Sequence, residues 1–227
     1  IGLPAAQPAV RAAMERSLRW AERSLAAHGR SDQALFGIVQ GGVDAELRAE
    51  SAAATAELGF PGFGIGGLSV GEPPDQRNSA LEAALVELPN DKIRYVMGLG
   101  DAEGVLDAVQ RGADLFDCVW PTRLARHGKA LTLDGDFNVR RAENADVEEP
   151  IHSECDCSTC QTYSRAYLRH LIVTGELAAH RLLTIHNLHF TLDLLREARK
   201  AIVDGTFDAY RTSIRARRAF SKTLAGS

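Results

Sequence analysis

The chain has 227 residues, 45% of them hydrophobic and 25% charged, with 20 glycines, 8 prolines and a formal net charge of −4. That composition excludes a disordered chain, a collagen-like repeat and a disulfide scaffold, and no apolar run approaches the roughly 20 residues of a membrane span. The negative balance offers no global attraction to a polyanion, so a nucleic-acid partner has to be met by a local basic patch.

No charged-then-apolar leader opens the chain; it starts at Ile1 rather than Met and reads as a fragment or a processed product. The first predicted element is a helix over 8–29, where Val10, Met14, Leu18, Ala21 and Leu25 recur at three- and four-residue steps and Gly29 ends the pattern. A unit then repeats: a short apolar run, a glycine-rich break, a helical stretch. Residues 34–39 lead through Gln40-Gly41-Gly42 to a helix over 44–58, and 60–65 lead through Gly66-Gly67 to a helix over 75–88. Residues 93–97 lead through Gly98-Leu99-Gly100 to a helix over 102–111, with Asp101 as its N-cap. The fourth run, 114–120, is stopped by Pro121.

Strands alternating with helices across short connections imply parallel strands, and unbroken apolar runs imply burial on both faces. A doubly wound sheet and a (β/α) barrel both fit this α/β pattern. Gln40, Gly66-Gly67, Gly98 and Asp117 fall at the carboxyl ends of the runs, where either architecture binds ligands. A full barrel needs eight units and about 250 residues, so four units amount to half of one.

Beyond Pro121 the character changes. Residues 129–139 read as a hairpin turning at Asp134-Gly135, 143–149 as an acidic connector, and 164–173 and 182–203 as helices. In the last helix Ile185, Leu188, Leu192, Leu195 and Ile202 form an apolar stripe with His186 at its rim. A domain boundary is expected at 144, with 1–144 as the barrel part and 145–227 as a metal-binding module with the C-terminal helices.

Cys118 stands alone, while Cys155, Cys157 and Cys160 crowd into C-x-C-x-x-C. Three thiols so close cannot all pair, but three thiolates leave one vacancy in a tetrahedral zinc site, which an imidazole ordinarily fills. His152, His170, His180, His186 and His189 are all candidates, and spacing does not choose among them. A closed four-ligand site is structural rather than reactive. Unpaired thiols also point to a reducing, cytoplasmic setting. Asp117, flanked by bulky apolar residues, must face either a ligand-binding mouth or a buried partner, because an unpaired buried charge is too costly. Arg123 and Arg126, with His127 and Lys129 close by, make a local basic patch whose guanidinium forks suit phosphates and base edges, unless they form only a solvated loop.

Together the stretches ALFGIVQGG (34–42), GFGIGGLSVGEP (62–73), IRYVMGLG (93–100), DLFDCVWPTRLARHG (114–128), ECDCSTCQTYSRAYLRHL (154–171) and LTIHN (183–187) closely resemble the tRNA-guanine transglycosylase family. Members of that family exchange the wobble guanine of certain tRNAs for a 7-deazaguanine. The resemblance implies the C-terminal half of a (β/α)8 TIM barrel carrying a zinc-binding subdomain. It selects His186, after 25 intervening residues (161–185), as the ligand that completes a structural zinc site with Cys155, Cys157 and Cys160. It makes Asp117 the nucleophile that holds the ribose as a covalent ester, and Gln40 the amide that reads the base with backbone help from Gly67 and Leu68. Met97 and Gly98 match the pocket floor, Glu72 a carboxylate near the 7-substituent, and Arg123 and Arg126 the groups that hold the anticodon loop. Val70, as in bacterial members, implies 7-aminomethyl-7-deazaguanine as the incoming base. The family's second aspartate, assigned to acid-base work, has no counterpart here, so the chain is expected to bind zinc but to exchange no base alone. A homodimer is also implied. The alternative is a non-catalytic, zinc-containing tRNA-binding or scaffolding subunit; the presence of Asp117, Gln40 and Gly67 argues against it.

Overall fold

A computed structural model describes the backbone of residue 2 and residues 4–225, with side chains up to residue 220. The chain divides into two compact units, Ile1–Cys118 and Val119–Ser227.

The first unit runs α1 (Gln7–Ala27), β1 (Gly37–Val39), α2 (Ala45–Glu57), β2 (Gly62–Ile65), α3 (Pro74–Val86), β3 (Ile93–Val96), α4 (Ala102–Gln110) and β4 (Leu115–Phe116). Helix starts follow local chemistry. The Asp44 carboxylate accepts from Leu47 N at 3.1 Å and the Asp101 carboxylate from Gly104 N at 2.7 Å, caps worth about 1 kcal/mol each. The four strands are parallel and lie in the order β1-β2-β3-β4. A doubly wound sheet reverses its order at a switch point; these four strands do not.

Register divides the sheet into two faces. Val39, Ile65 and Val96 align on one face and are fully buried, each burial worth about 1.5–3 kcal/mol. Ile38, Gly64, Tyr95 and Leu115 align on the other, where Ile38 and Leu115 remain 44% and 47% exposed. Helix α1 closes part of the unit by packing Val10 and Met14 on Leu47 of α2.

The second unit runs α5 (Trp120–Arg126), β5 (Lys129–Ala130), β6 (Phe137–Asn138), α6 (Ser158–Thr162), α7 (Arg165–Val173), α8 (Leu177–Val203) and α9 (Phe207–Ala225). Strands β5 and β6 pair antiparallel, Lys129 with Asn138 and Ala130 with Phe137. The division after Cys118 comes earlier than the expected boundary at 144. Its cause is packing: Ala130 and Val139 of the hairpin share one core with Cys157, Cys160, Leu168 and Leu183.

Three local expectations are corrected. Trp120 opens α5 rather than ending a strand, and Pro121 lies in the first turn of that helix, where its missing N–H would have gone unpaired anyway. On α8 the supposed core stripe is largely outside: Leu188, Leu192 and Ile202 are 41%, 64% and 53% exposed. The buried face is instead Ala179, Leu183, His186, Asn187, Leu194, Ala198 and Ala201, because small side chains admit close neighbours and the two polar residues have inward partners. Helix α9, for which no element is expected, is tied down by Arg218, which donates to Thr132 O and, at 2.9 Å, to Asp136 Oδ1.

Candidate functional site

Two groups of side chains carry chemistry, one in each unit. In the first unit the strand ends converge. Asp117 follows β4 directly and is exposed. Its Oδ1 accepts from Tyr95 Oη at 2.6 Å and from Gly98 N at 3.0 Å, and Oδ2 takes neither bond. These two donors hold the carboxyl below its usual range, the Tyr95 hydroxyl most, with slight burial acting the other way. In return the phenol of Tyr95 is pushed up to about 12, mainly by its hydrogen bond to Asp117. Asp117 is therefore ionised at neutral pH, with one oxygen engaged. The backbone N–H that serves it is carried by Gly98 at φ 75°, a conformation that glycine adopts without strain.

Gln40, Gly66, Gly67 and Met97 crowd together beside these groups. A Cβ placed on Gly66 would lie 2.9 Å from Gln40 Nε2 and 3.5 Å from Met97 Sδ, and one on Gly67 would lie 2.6 Å from Gln40 Oε1. The glycines are thus required for the Gln40 amide to lie along the loop. Gly67 is exposed at φ 71°, while Leu68 is buried. Glu72 folds back on its own loop, its carboxylate accepting from Ser69 N and, at 2.9 Å, from Val70 N. Ser69 accordingly has φ 61° without being glycine. Here Glu72 shapes the loop after Leu68.

Two contributors have no strong sequence signal. One is Tyr95, detectable only as the strand residue that shares the parity of Met97. The other is Arg48 of α2, with no exposed surface. Its Nε donates to Gly42 O at 2.7 Å and its Nη1 to Val39 O at 3.2 Å, so it holds the loop on both sides of Gln40. Burial lowers its pKa to about 10, against the opposing pull of the Glu72 charge. Its Nη2 has no hydrogen-bond partner among the described residues.

In the second unit Cys155, Cys157, Cys160 and His186 come together, with one ligand atom from each within 4.8 Å of the others. His186 Nδ1 lies 3.6, 3.6 and 3.3 Å from the sulfurs of Cys155, Cys157 and Cys160. Zinc–sulfur and zinc–nitrogen bonds of about 2.3 and 2.05 Å at tetrahedral angles put sulfur and nitrogen roughly 3.55 Å apart. The donor set fits such an ion. His186 Nε2 lies 2.8 Å from Leu131 O, and donation of its N–H there leaves the Nδ1 lone pair free for a metal. Opposite shifts mark two of the thiols: hydrogen bonds from Cys155 and Cys160 hold Cys157 low, and hydrogen bonding to Cys157 and Cys160 pushes Cys155 up. Of the other candidate imidazoles none joins the cysteines among the described residues; His152 pairs with Asp134 at 3.0 Å and His189 with Asp156 at 2.6 Å.

Asn187, next to His186, is fully buried. Its Oδ1 accepts from Leu131 N at 2.9 Å, and its Nδ2 donates to Pro121 O and Lys129 O, both at 3.0 Å. Arg123 and Arg126 are exposed on α5.

Fold and sites together define an α/β protein with a parallel sheet, an ionised carboxylate at a strand end, and a Cys3His cluster compatible with zinc. A family model described as "Queuine tRNA-ribosyltransferase" matches residues 1–219. Relatives bearing that same name are 51% identical over 207 residues in Herpetosiphon aurantiacus (91% of this chain, 53% of the relative) and 49% identical over 208 residues in Moorella thermoacetica (92% and 56%). In Bacillus subtilis the identity is 47% over 225 residues (99% and 59%). The chain belongs to the queuine tRNA-ribosyltransferase family, the tRNA-guanine transglycosylases. It spans about half the length of the curated relatives it matches. Among the described residues no helix is long and apolar enough to cross a membrane.

Proposed function

We propose that the chain supplies the nucleophile, part of the base pocket and the zinc module of a transglycosylase that exchanges the wobble guanine of tRNA for 7-aminomethyl-7-deazaguanine. The observation that carries this reading is Asp117: exposed at a strand end, ionised, and held through Oδ1 by Tyr95 and Gly98. Oδ2 attacks C1′ of the ribose as the guanine bond breaks through an oxocarbenium-like transition state, giving a ribosyl ester. The incoming base then attacks C1′ through a ring nitrogen that gives up its proton, releasing the carboxylate, while the departed guanine takes up a proton, so the exchange is neutral overall. The amide of Gln40 and the backbone at Gly67 and Leu68 bind the base edge, with Met97 and Gly98 beneath it. Glu72 reaches the aminomethyl group once that group displaces its contacts to Ser69 and Val70. No described residue is assigned to protonate the leaving guanine.

The sequential parallel strand order and the partly exposed Ile38–Leu115 face support the C-terminal half of a (β/α)8 barrel. The Cys3His set holds structural zinc, which supplies folding energy rather than chemistry. Exposed Arg123 and Arg126 grip phosphates of the anticodon loop, so binding weakens with salt. Exposed Leu188 and Leu192 suit a homodimer, and the free thiols suit the cytoplasm. By themselves the 227 residues bind zinc and exchange no base.

The test joins the chain to the part of the Herpetosiphon relative that it does not match. Wild type traps a covalent tRNA adduct and incorporates labelled guanine, and Asp117→Asn does neither. An adduct that survives Asp117→Asn rejects the assignment. Turnover by the 227 residues alone rejects only their inactivity.

A further inference from the structure

The second unit holds another set of ligand atoms beside the Cys3His cluster. His189 and Asp193 stand one turn apart on α8, three and seven residues beyond His186, and Asp156 lies between two of the cysteines. One ligand atom from each of Asp156, His189 and Asp193 lies within 4.8 Å of the other two. His189 Nε2 is 2.6 Å from Asp156 Oδ1 and 3.8 Å from Asp193 Oδ2. A metal ion bonded to nitrogen and carboxylate oxygen at about 2.0–2.2 Å wants these donors roughly 3.4 Å apart, a value between the two distances. The imidazole nitrogen is shielded from solvent, yet it makes no hydrogen bond among the described residues. Its contact with Asp156 is close but out of line for one. Arg196 pairs with Oδ1 of Asp193, and Oδ2 is the oxygen on the His189 side.

We propose that Asp156, His189 and Asp193 form a second divalent-metal site. One imidazole and two carboxylates suit a borderline ion such as zinc or cobalt rather than a purely oxygen-seeking one. This site contrasts with its neighbour in having no thiolate and in being open. Asp156 is 80% exposed, and a cavity of about 140 Å³ lined by His189, Asp193, Cys155 and His186 gives access from one side. Three protein ligands leave a coordination position for water, so the ion exchanges readily. The inference is independent of the transglycosylase reading.

Cobalt titration of the 227-residue chain tests it, because thiolate-bound cobalt gives a near-ultraviolet charge-transfer band that nitrogen–oxygen sites lack. The first equivalent should raise that band. A second should add only visible d–d absorption and should be the one removed by a weak chelator. Asp156→Asn and His189→Ala should each abolish the second equivalent while retaining the first. Saturation of wild type at one equivalent, or a second equivalent that persists in Asp156→Asn, overturns the proposal. If His189→Ala also loses the thiolate band, the Asp156→Asn result alone decides.

Discussion

The Cys3His cluster and the strand-end group around Asp117 are built on opposite plans. At the cluster Cys157, Cys160 and His186 are buried in the core of the second unit, and the imidazole is fixed from behind by Leu131 O. At the strand ends Asp117, Gly67 and Gly98 are exposed, and the carboxylate has one oxygen left over. A closed donor set stabilises a fold, whereas a carboxylate steadied on one side and open on the other is equipped to react with something that arrives.

The largest expected effect lies on the closed side. Cys157→Ser, or stripping metal with a strong chelator, should abolish cooperative melting of the second unit, since structural zinc contributes on the order of 10 kcal/mol in zinc-finger peptides. Circular dichroism melts with and without zinc measure it, and identical curves would erase the distinction between the two plans. Asn187→Ala comes next. It leaves Leu131 N, Pro121 O and Lys129 O without their partner, at a cost of about 3 kcal/mol in urea unfolding; a loss below about 1 kcal/mol would mean that the loop re-pairs elsewhere.

On the open side the effects on stability shrink. Gly67→Ala should cost about 1–3 kcal/mol, from the positive φ and the clash with the Gln40 amide, with zinc stoichiometry unchanged. Tyr95→Phe should alter stability least of all while moving the titration of Asp117. Because the native pKa is depressed, the Asp117 contribution to stability is present above the unfolded carboxyl value and is lost as pH falls through the native one. Removing the hydroxyl deletes the largest cause of the depression, so the native pKa should rise and the acid-side loss should diminish. Carbon-detected NMR of the side-chain carboxyl reads this directly, and an unmoved pKa would transfer the role to Gly98.

Strand ends, caps and the metal cluster were legible in the sequence for local reasons. Asp101 caps because a short carboxylate before a helix has few other uses, whereas Asp44, expected inside its helix, caps that one too; C-x-C-x-x-C leaves little but a metal. What failed depended on contacts between distant segments. The face of α8 was misread because periodicity weights leucines, whereas close packing there uses Ala179, Ala198 and Ala201 and the inward bonds of His186 and Asn187. Pro121 carries the same letter whether it ends a strand or opens a helix. Arg48 sits in an alanine-rich helix with no periodic mark, and only the carbonyls of Val39 and Gly42 explain its burial.

Leu131 is gripped at both ends of its peptide environment by consecutive residues of α8, His186 at its carbonyl and Asn187 at its amide. Any loosening of the imidazole should therefore be felt within the same residue by a proton that water otherwise reaches slowly. The Leu131 amide becomes a natural gauge of occupancy: its deuterium uptake should be slow in the zinc-loaded protein and quicken as the metal is withdrawn, before the helix itself unravels.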